Sequence, residues 1–248
     1  MLAARLPAGL MLKVRIPRHV HHRAYEHGGV VLINTATGHW HALNPAAGML
    51  WASWAQGADF ERSVAEISAR HPGVAPERIH EDAVNLLHDL LRRGLVGTGA
   101  HGSTRPRSAP SRETADATTS LDHDLRPGWG AALLAWCCLV LAVLLLVLPF
   151  RVTAAVVGWI RGVARRRDMS TAWAEAAAHA VRRAARRYPG RAACLETSLA
   201  TVLFAAASLR HLDWCLGAAT DPYRFHAWVE LGGRPIAADS AYLRVLTI

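Results

Sequence analysis

The sequence predicts an α+β protein in two folded parts, and three observations support this. Residues 12–96 alternate at first like strands and then follow a helical period. Residues 97–127 are rich in Gly, Ser, Thr, Pro and Arg and offer little to bury, which is typical of a flexible linker. From residue 128 onward apolar helical segments return and are followed by strands. We therefore expect one domain over 1–96, a linker over 97–127 and a second domain over 128–248.

Composition limits the classes of function without choosing one. The 248 residues carry a formal net charge of +9, mostly from arginine, which suits an acidic peptide, a nucleic acid or an anionic membrane as partner. The four cysteines show neither zinc spacing nor a disulfide framework, so a reducing cytoplasm is expected. The first twelve residues lack the apolar region of a signal peptide. No cofactor is expected.

The first part reads as a small sheet followed by three helices. Segments 12–16, 29–33 and 39–43 have strand character, and turn residues fill 35–38. Asn44 and Pro45 are a helix cap and a first-turn proline. Further helices are expected at 60–70 and from Ile79 to Leu91, where apolar residues follow one helical stripe. Three strands followed by three helices predict a winged-helix-like domain.

Five histidines in this part raise the question of a metal site. They are His19, His21, His22, His39 and His41. No cysteine or acidic residue accompanies them at a metal-site spacing. An exposed basic arm is therefore favoured over a metal site, and no metal is expected.

The segment 127–150 is uncharged over 24 residues and is long and apolar enough to cross a membrane. Arginines follow it at 151, 161 and 165–167. Three alternatives stay open: a single span, a hairpin embedded in the interface, or a helix buried within the protein. A single span would separate the two folded parts across the membrane.

The second part ends with a thiol, an imidazole and a carboxylate in a suggestive order. A helix over 195–209 places Cys194 at a helix N-terminus, which suits a thiolate and an oxyanion. His226 lies 32 positions later on a strand predicted over 225–231, and Asp239 follows 13 positions after it. This is the order of a transglutaminase-like (papain-like) cysteine protease. The alternatives are a buried structural cysteine, a strand histidine packed beside Trp228, and Asp221 as the acid.

With these residues placed, the second part resembles the lasso peptide biosynthesis B protein in its fused form. The resemblance is carried by CLETSLA at 194–200, WCLG at 214–217 and FHAWVE at 225–230, in that order. It implies that Cys194, His226 and Asp239 are the catalytic residues of a leader peptidase.

The first part resembles pyrroloquinoline quinone biosynthesis protein D, through GVVL at 29–32, HALN at 41–44 and the apolar stripe of 79–96. That resemblance implies that a leader peptide adds as an extra strand to the third strand and lies against the third helix. The residues expected to bind it are His39, Trp40, His41, Ala42, Asp82, Asn85, Leu86 and Asp89.

Together these resemblances imply a cytoplasmic cysteine endopeptidase that binds the leader of a lasso precursor peptide and cleaves it from the core before macrolactam formation. The implied partners are that precursor and an ATP-dependent macrolactam synthetase, with membrane association left open and no nucleic acid. Two alternatives are a membrane-tethered winged-helix protein that binds nucleic acid and a transglutaminase-like acyltransferase. The first would bind DNA in a salt-sensitive way, and the second would pass its acyl group to an amine.

Overall fold

The computed structural model describes residues 12–98, 129–163, 169–220, 223–236 and 242–248. The chain divides into two compact units, the first within residues 1–34 and 40–109 and the second within 35–39 and 110–248. The predicted linker, 97–127, lies almost entirely outside the described residues, so its limits stay a prediction.

The first unit contains a three-stranded sheet. Its strands are β2 (Val20–Ala24), β3 (Val30–Asn34) and β4 (His39–Leu43), in the order β2-β3-β4. Every residue of the central strand β3 is buried, which explains its unbroken apolar run. A separate short pair joins β1 (Val14–Arg15) to β5 (Gly97–Thr98). The strand β4 therefore lies at an edge of its sheet.

Three helices follow the sheet, as the sequence predicts. They are α1 (Pro45–Ala55), α2 (Phe60–Arg70) and α3 (Pro76–Arg92). The side chain of Asn44 caps α1 by accepting from the N–H of Ala47 at 2.9 Å, and Asp59 caps α2 in the same way. Their inward faces join the sheet in one core, which includes Leu32, Leu50, Trp51, Trp54, Phe60, Leu87, Leu90 and Leu95. The α+β class is confirmed for this unit.

The first strand of this sheet differs from the prediction. Segment 12–16 pairs with β5 instead, and the histidine segment, expected as an exposed arm, forms β2. β2 pairs residue by residue with β3, and the ring of His22 packs edge-on against Trp51 at 5.7 Å.

Burial, and then the charge of a neighbouring histidine, lower the pKa of His21 and of His22. Within the described ranges, no group of three or more His, Cys, Asp or Glu side chains could hold a metal ion.

The second unit begins with four helices. They are α4 (Trp129–Val147), α5 (Phe150–Val163), α6 (Thr171–Ala185) and α7 (Cys194–Ala207). α4, α6 and α7 pack against one another. α7 is the most enclosed of them, and every residue from Ser198 to Ala205 is buried. Because α7 is central, the position of its first residue is well defined by the packing of the rest.

A four-stranded antiparallel sheet completes the second unit. Its strands are β6 (Asp213–Thr220), β7 (Tyr223–Leu231), β8 (Arg234–Ile236) and β9 (Leu243–Thr247), in the order β8-β7-β6-β9. α7 packs against β7 and β6. β6 continues past Gly217 to Thr220, because the whole strand pairs with β7.

α4 has two unlike sides. It is long and apolar enough to cross a membrane by length and composition alone, with a mean hydropathy of 2.8. One side, with Ala135, Cys138, Leu139 and Ala142, is buried in the unit. The other side exposes large apolar residues. Within the described residues α4 is thus buried on one side only, and the three alternatives stay open.

Candidate active site

Cys194 is the first residue of α7, as the sequence predicts, and its side chain is half-buried. The residue before it, Ala193, has no side-chain acceptor to cap the helix. Instead the carboxylate of Glu196 accepts from the N–H of Ala193 at 2.9 Å. The preceding side chain thus does not cap the N–H groups of the first turn, and N–H groups of this kind can stabilise an oxyanion.

The first turns of α7 are anchored to the sheet through Ser198. This residue lies one helical turn after Cys194 and on the same side of the helix. Its buried hydroxyl accepts from Nε1 of Trp214 on β6 at 2.9 Å. Trp214 is itself fully buried and packs against Phe150 at 5.9 Å. The sulfur-bearing end of α7 is therefore held firmly relative to β6.

His226 is the fourth residue of β7, the strand on which α7 packs. Its ring stacks on Tyr242, with 4.6 Å between ring centroids and 28° between planes. It also stacks on Trp228, with 6.1 Å between centroids and 13° between planes. Two aromatic neighbours restrict the rotation of the imidazole. A catalytic base needs such a fixed orientation.

Trp228 is held in turn by a buried acid. Its Nε1 donates to Oε1 of Glu230 at 2.9 Å, and the other carboxylate oxygen accepts from Arg244 on β9. Glu230 is only 4% exposed. Its carboxylate thus bridges β7 and β9. Its role is to hold the tryptophan beside the imidazole.

Gly217 makes room for this arrangement. It faces His226 across the β6–β7 pair, and the indole of Trp228 lies over it. A Cβ at this position would stand 2.6 Å from Cη2 of Trp228 and still closer to the carbonyl of Leu243. Only glycine allows β6, β9 and the indole to approach this closely.

We therefore expect Gly217→Ala to lower the free energy of unfolding by about 1–3 kcal/mol, since the added methyl overpacks the site. Urea denaturation would measure it. Gly130→Ala is the control, because no atom lies within 4 Å of its Cβ position. Equal stability of the two variants would contradict this account of the glycine.

Cys215 does not compete with Cys194 as a nucleophile. It is buried on β6, and this burial, followed by the charge of Glu230, raises the pKa of its thiol to about 12. Asp239 and its rival Asp221 lie outside the described residues, so the identity of the third catalytic residue stays a prediction. Sequence reasoning missed Tyr242, Ser198 and Arg244. Only Tyr242 offered a signal, as an aromatic residue three positions after Asp239.

The residues predicted to bind a leader lie on two elements, β4 and α3. His39, Trp40, His41 and Ala42 belong to the edge strand β4, and Asp82, Asn85, Leu86 and Asp89 belong to α3. Asp82 and Asn85 are exposed, whereas Leu86 is half-buried and packs against the core. These positions suit a peptide strand added at β4.

A polar chain connects β4 to α3. Nδ1 of His41 lies 3.2 Å from Nη1 of Arg93, and Nε of Arg93 lies 2.7 Å from the carboxylate of Asp89. Asp89 is also 3.0 Å from Nη2 of Arg92. Two arginines thus neutralise the carboxylate of Asp89. Through Arg93 this carboxylate helps to position His41 on β4, and its charge is less available to a ligand.

Two family models match this chain. Residues 29–96 match the family model described as Coenzyme PQQ synthesis protein D, and residues 144–247 match the transglutaminase-like superfamily. A search of curated proteins found no significant match. Among solved structures, this chain is similar to "TbiB1 in Complex with the TbiA(beta) Leader Peptide", with 23% identity and a TM-score of 0.33. That similarity covers 35% of this chain and 99% of the other.

The two matched segments account for both folded units and follow one another in the order that the sequence predicts. The chain thus joins a segment similar to Coenzyme PQQ synthesis protein D to a segment similar to the transglutaminase-like superfamily.

Proposed function

We propose that this chain is a cysteine endopeptidase that binds the leader of a lasso precursor peptide and cleaves it from the core before macrolactam formation. One observation carries the proposal. A PqqD-like domain stands in the same chain as a transglutaminase-like domain whose central helix begins with Cys194 and packs on the strand that holds His226. The precursor and an ATP-dependent macrolactam synthetase are the partners, and the cytoplasm is the compartment.

The chemistry follows from the positions of the two groups. The thiolate of Cys194 attacks the carbonyl carbon at the leader–core junction, and amides at the start of α7 stabilise the oxyanion. His226 protonates the departing amine of the core peptide and later takes a proton from the water that hydrolyses the thioester. Asp239 orients the imidazole. The mechanism requires Sγ of Cys194 to come within hydrogen-bond reach of the imidazole, which is about 3–4 Å for sulfur.

Leader capture uses the edge of the first sheet. β4 ends its sheet, so a disordered leader can add there as a strand through main-chain hydrogen bonds, while side-chain pockets set the register. Once the leader is bound, cleavage becomes an intramolecular event with a raised effective concentration of the scissile bond. This explains why both units occur in one chain.

The experiment is to incubate the purified chain with its precursor and weigh the products. Hydrolysis gives two peptides whose masses sum to that of the precursor plus one water. An acyltransferase, given a primary amine such as glycinamide, would instead join that amine to the leader. A precursor that stays intact, both alone and with the synthetase present, would refute the proposal. Nucleic-acid binding is not favoured by either matched family.

The capture role makes a separate prediction. A precursor shortened to the residues around the scissile bond should be cleaved with a kcat/KM lower by about 10²-fold, mainly through KM, because the raised effective concentration is lost. Steady-state kinetics on the full and shortened precursors would measure it. Free leader should inhibit cleavage of the full precursor without restoring that of the short one. Equal kcat/KM for both precursors would show that the first unit does not present the substrate.

A further inference from the structure

One surface of the second unit has no place in the proposed chemistry. It consists of the large exposed apolar residues of α4 and α5 and is called here the apolar face. These are Trp129, Leu133, Trp136, Leu141, Leu144, Val147, Trp159 and Val163. On α4 these residues recur at helical spacing, so they form one continuous stripe along the side opposite the buried one. Contiguous apolar surface of this extent marks an interaction site.

From this surface we infer that the apolar face binds the interfacial region of an anionic lipid bilayer, with α4 and α5 lying along the membrane and not across it. The tryptophans support this occupant. Trp129 begins α4 and is 96% exposed, and Trp159 is 69% exposed near the end of α5. Exposed tryptophans at the ends of apolar helices are typical of side chains at the depth of lipid headgroups.

Charge also favours an anionic bilayer. Residues 129–163 contain two arginines, Arg151 and Arg161, and no Asp or Glu. Arg151 is exposed at the start of α5, while Arg161 is 3.5 Å from Asp213. A second copy of this chain would bring like charges together across the contact without an acid to offset them, which disfavours self-association through this face. Anionic headgroups supply the opposite charge.

The buried side of α4 excludes a transmembrane position. Ala135, Cys138, Leu139 and Ala142 pack inside the unit, where α4 lies against α6 and α7. α6 carries charged residues such as Glu175, Arg182 and Arg183, which do not belong in the hydrocarbon core. A helix that stays packed on α6 can reach a bilayer only from one side.

The test is flotation of the full chain with two kinds of vesicle, phosphatidylcholine alone and an equimolar mixture with phosphatidylglycerol. We expect stronger binding to the mixture. The double variant Leu144→Gln/Val147→Gln should bind at least about tenfold more weakly to both, because two exposed apolar side chains leave the lipid. Leu209→Gln is the matched control, since Leu209 and Leu144 are both 60% exposed and Leu209 lies outside the apolar face. Its binding should not change.

Arg151→Glu should weaken binding to the anionic vesicles by about tenfold or more and leave the neutral ones unaffected. Arg183→Glu, an exposed site on α6, is its control. Indifference to both vesicles would overturn the inference. Equal losses of vesicle binding in the double variant and in Leu209→Gln would also overturn it. A dimer seen in light scattering and abolished by the double variant would show self-association instead. Resistance to carbonate extraction would show a membrane span. Circular dichroism of each variant confirms that it is folded.

Discussion

Replacing Cys194 by alanine is expected to reduce leader cleavage by about 10³-fold or more, while the binding of the leader stays unchanged. The reason is that no thioester can form without the sulfur. Because nucleophile and base act as one unit, removing either one loses most of the rate enhancement. Cleavage is measured by mass spectrometry, and leader affinity by fluorescence anisotropy. Cys137→Ala is the control, because Cys137 is exposed on α4. If both variants cleave equally well, Cys194 is not the nucleophile.

Alkylation gives a second readout that does not depend on the precursor. At neutral pH, iodoacetamide should modify Cys194 faster than the exposed Cys137, which serves as an internal reference, because the proposed contact with His226 would favour the thiolate. Cys215 should stay unmodified, since burial raises its pKa to about 12. In His226→Ala the advantage of Cys194 should vanish. An unchanged rate ratio in that variant would argue against contact between the sulfur and the imidazole.

The parts of this molecule that the sequence predicts well are those set by local signals. The start of α7 at Cys194 follows the Pro189-Gly190 break, and residues 194–207 contain neither proline nor glycine. The start of α1 follows from Asn44 and Pro45. The strand of His226 is equally clear, because five of the seven residues from Phe225 to Leu231 are apolar and two glycines follow them. Such features depend on neighbours within a few positions.

What the sequence does not predict depends on pairing between distant segments. β2 looks like a basic arm because its histidines are polar, and only its register with the buried β3 makes it a strand. The continuation of β6 past Gly217 depends on close approach by Trp228 and β9. In the same way, Tyr242 restrains the His226 ring only because the chain brings residue 242 back beside β7.

The buried acid beneath this site gives the second large expected effect. Glu230→Ala should lower the free energy of unfolding by about 3 kcal/mol, because it leaves the guanidinium of Arg244 and Nε1 of Trp228 without their partner. This loss of unfolding free energy is at the low end of what breaking a buried ion pair costs. The reason is that 39% of the Arg244 side chain is exposed and keeps some hydration. Chemical denaturation would measure it. Glu66→Ala, which breaks the exposed pair with Arg62, should cost less than about 1 kcal/mol.

The conservative variant separates the two roles of this carboxylate. Glu230→Gln keeps an oxygen that accepts from Trp228 but loses the charge opposite Arg244, so its stability should fall between wild type and Glu230→Ala. If the tryptophan positions His226, kcat for leader cleavage should follow the hydrogen bond, with Glu230→Gln near wild type and Glu230→Ala low even when fully folded. Equal kcat values for the folded fractions of both variants would show that Glu230 is purely structural. They would also show that Trp228 does not position the imidazole of His226.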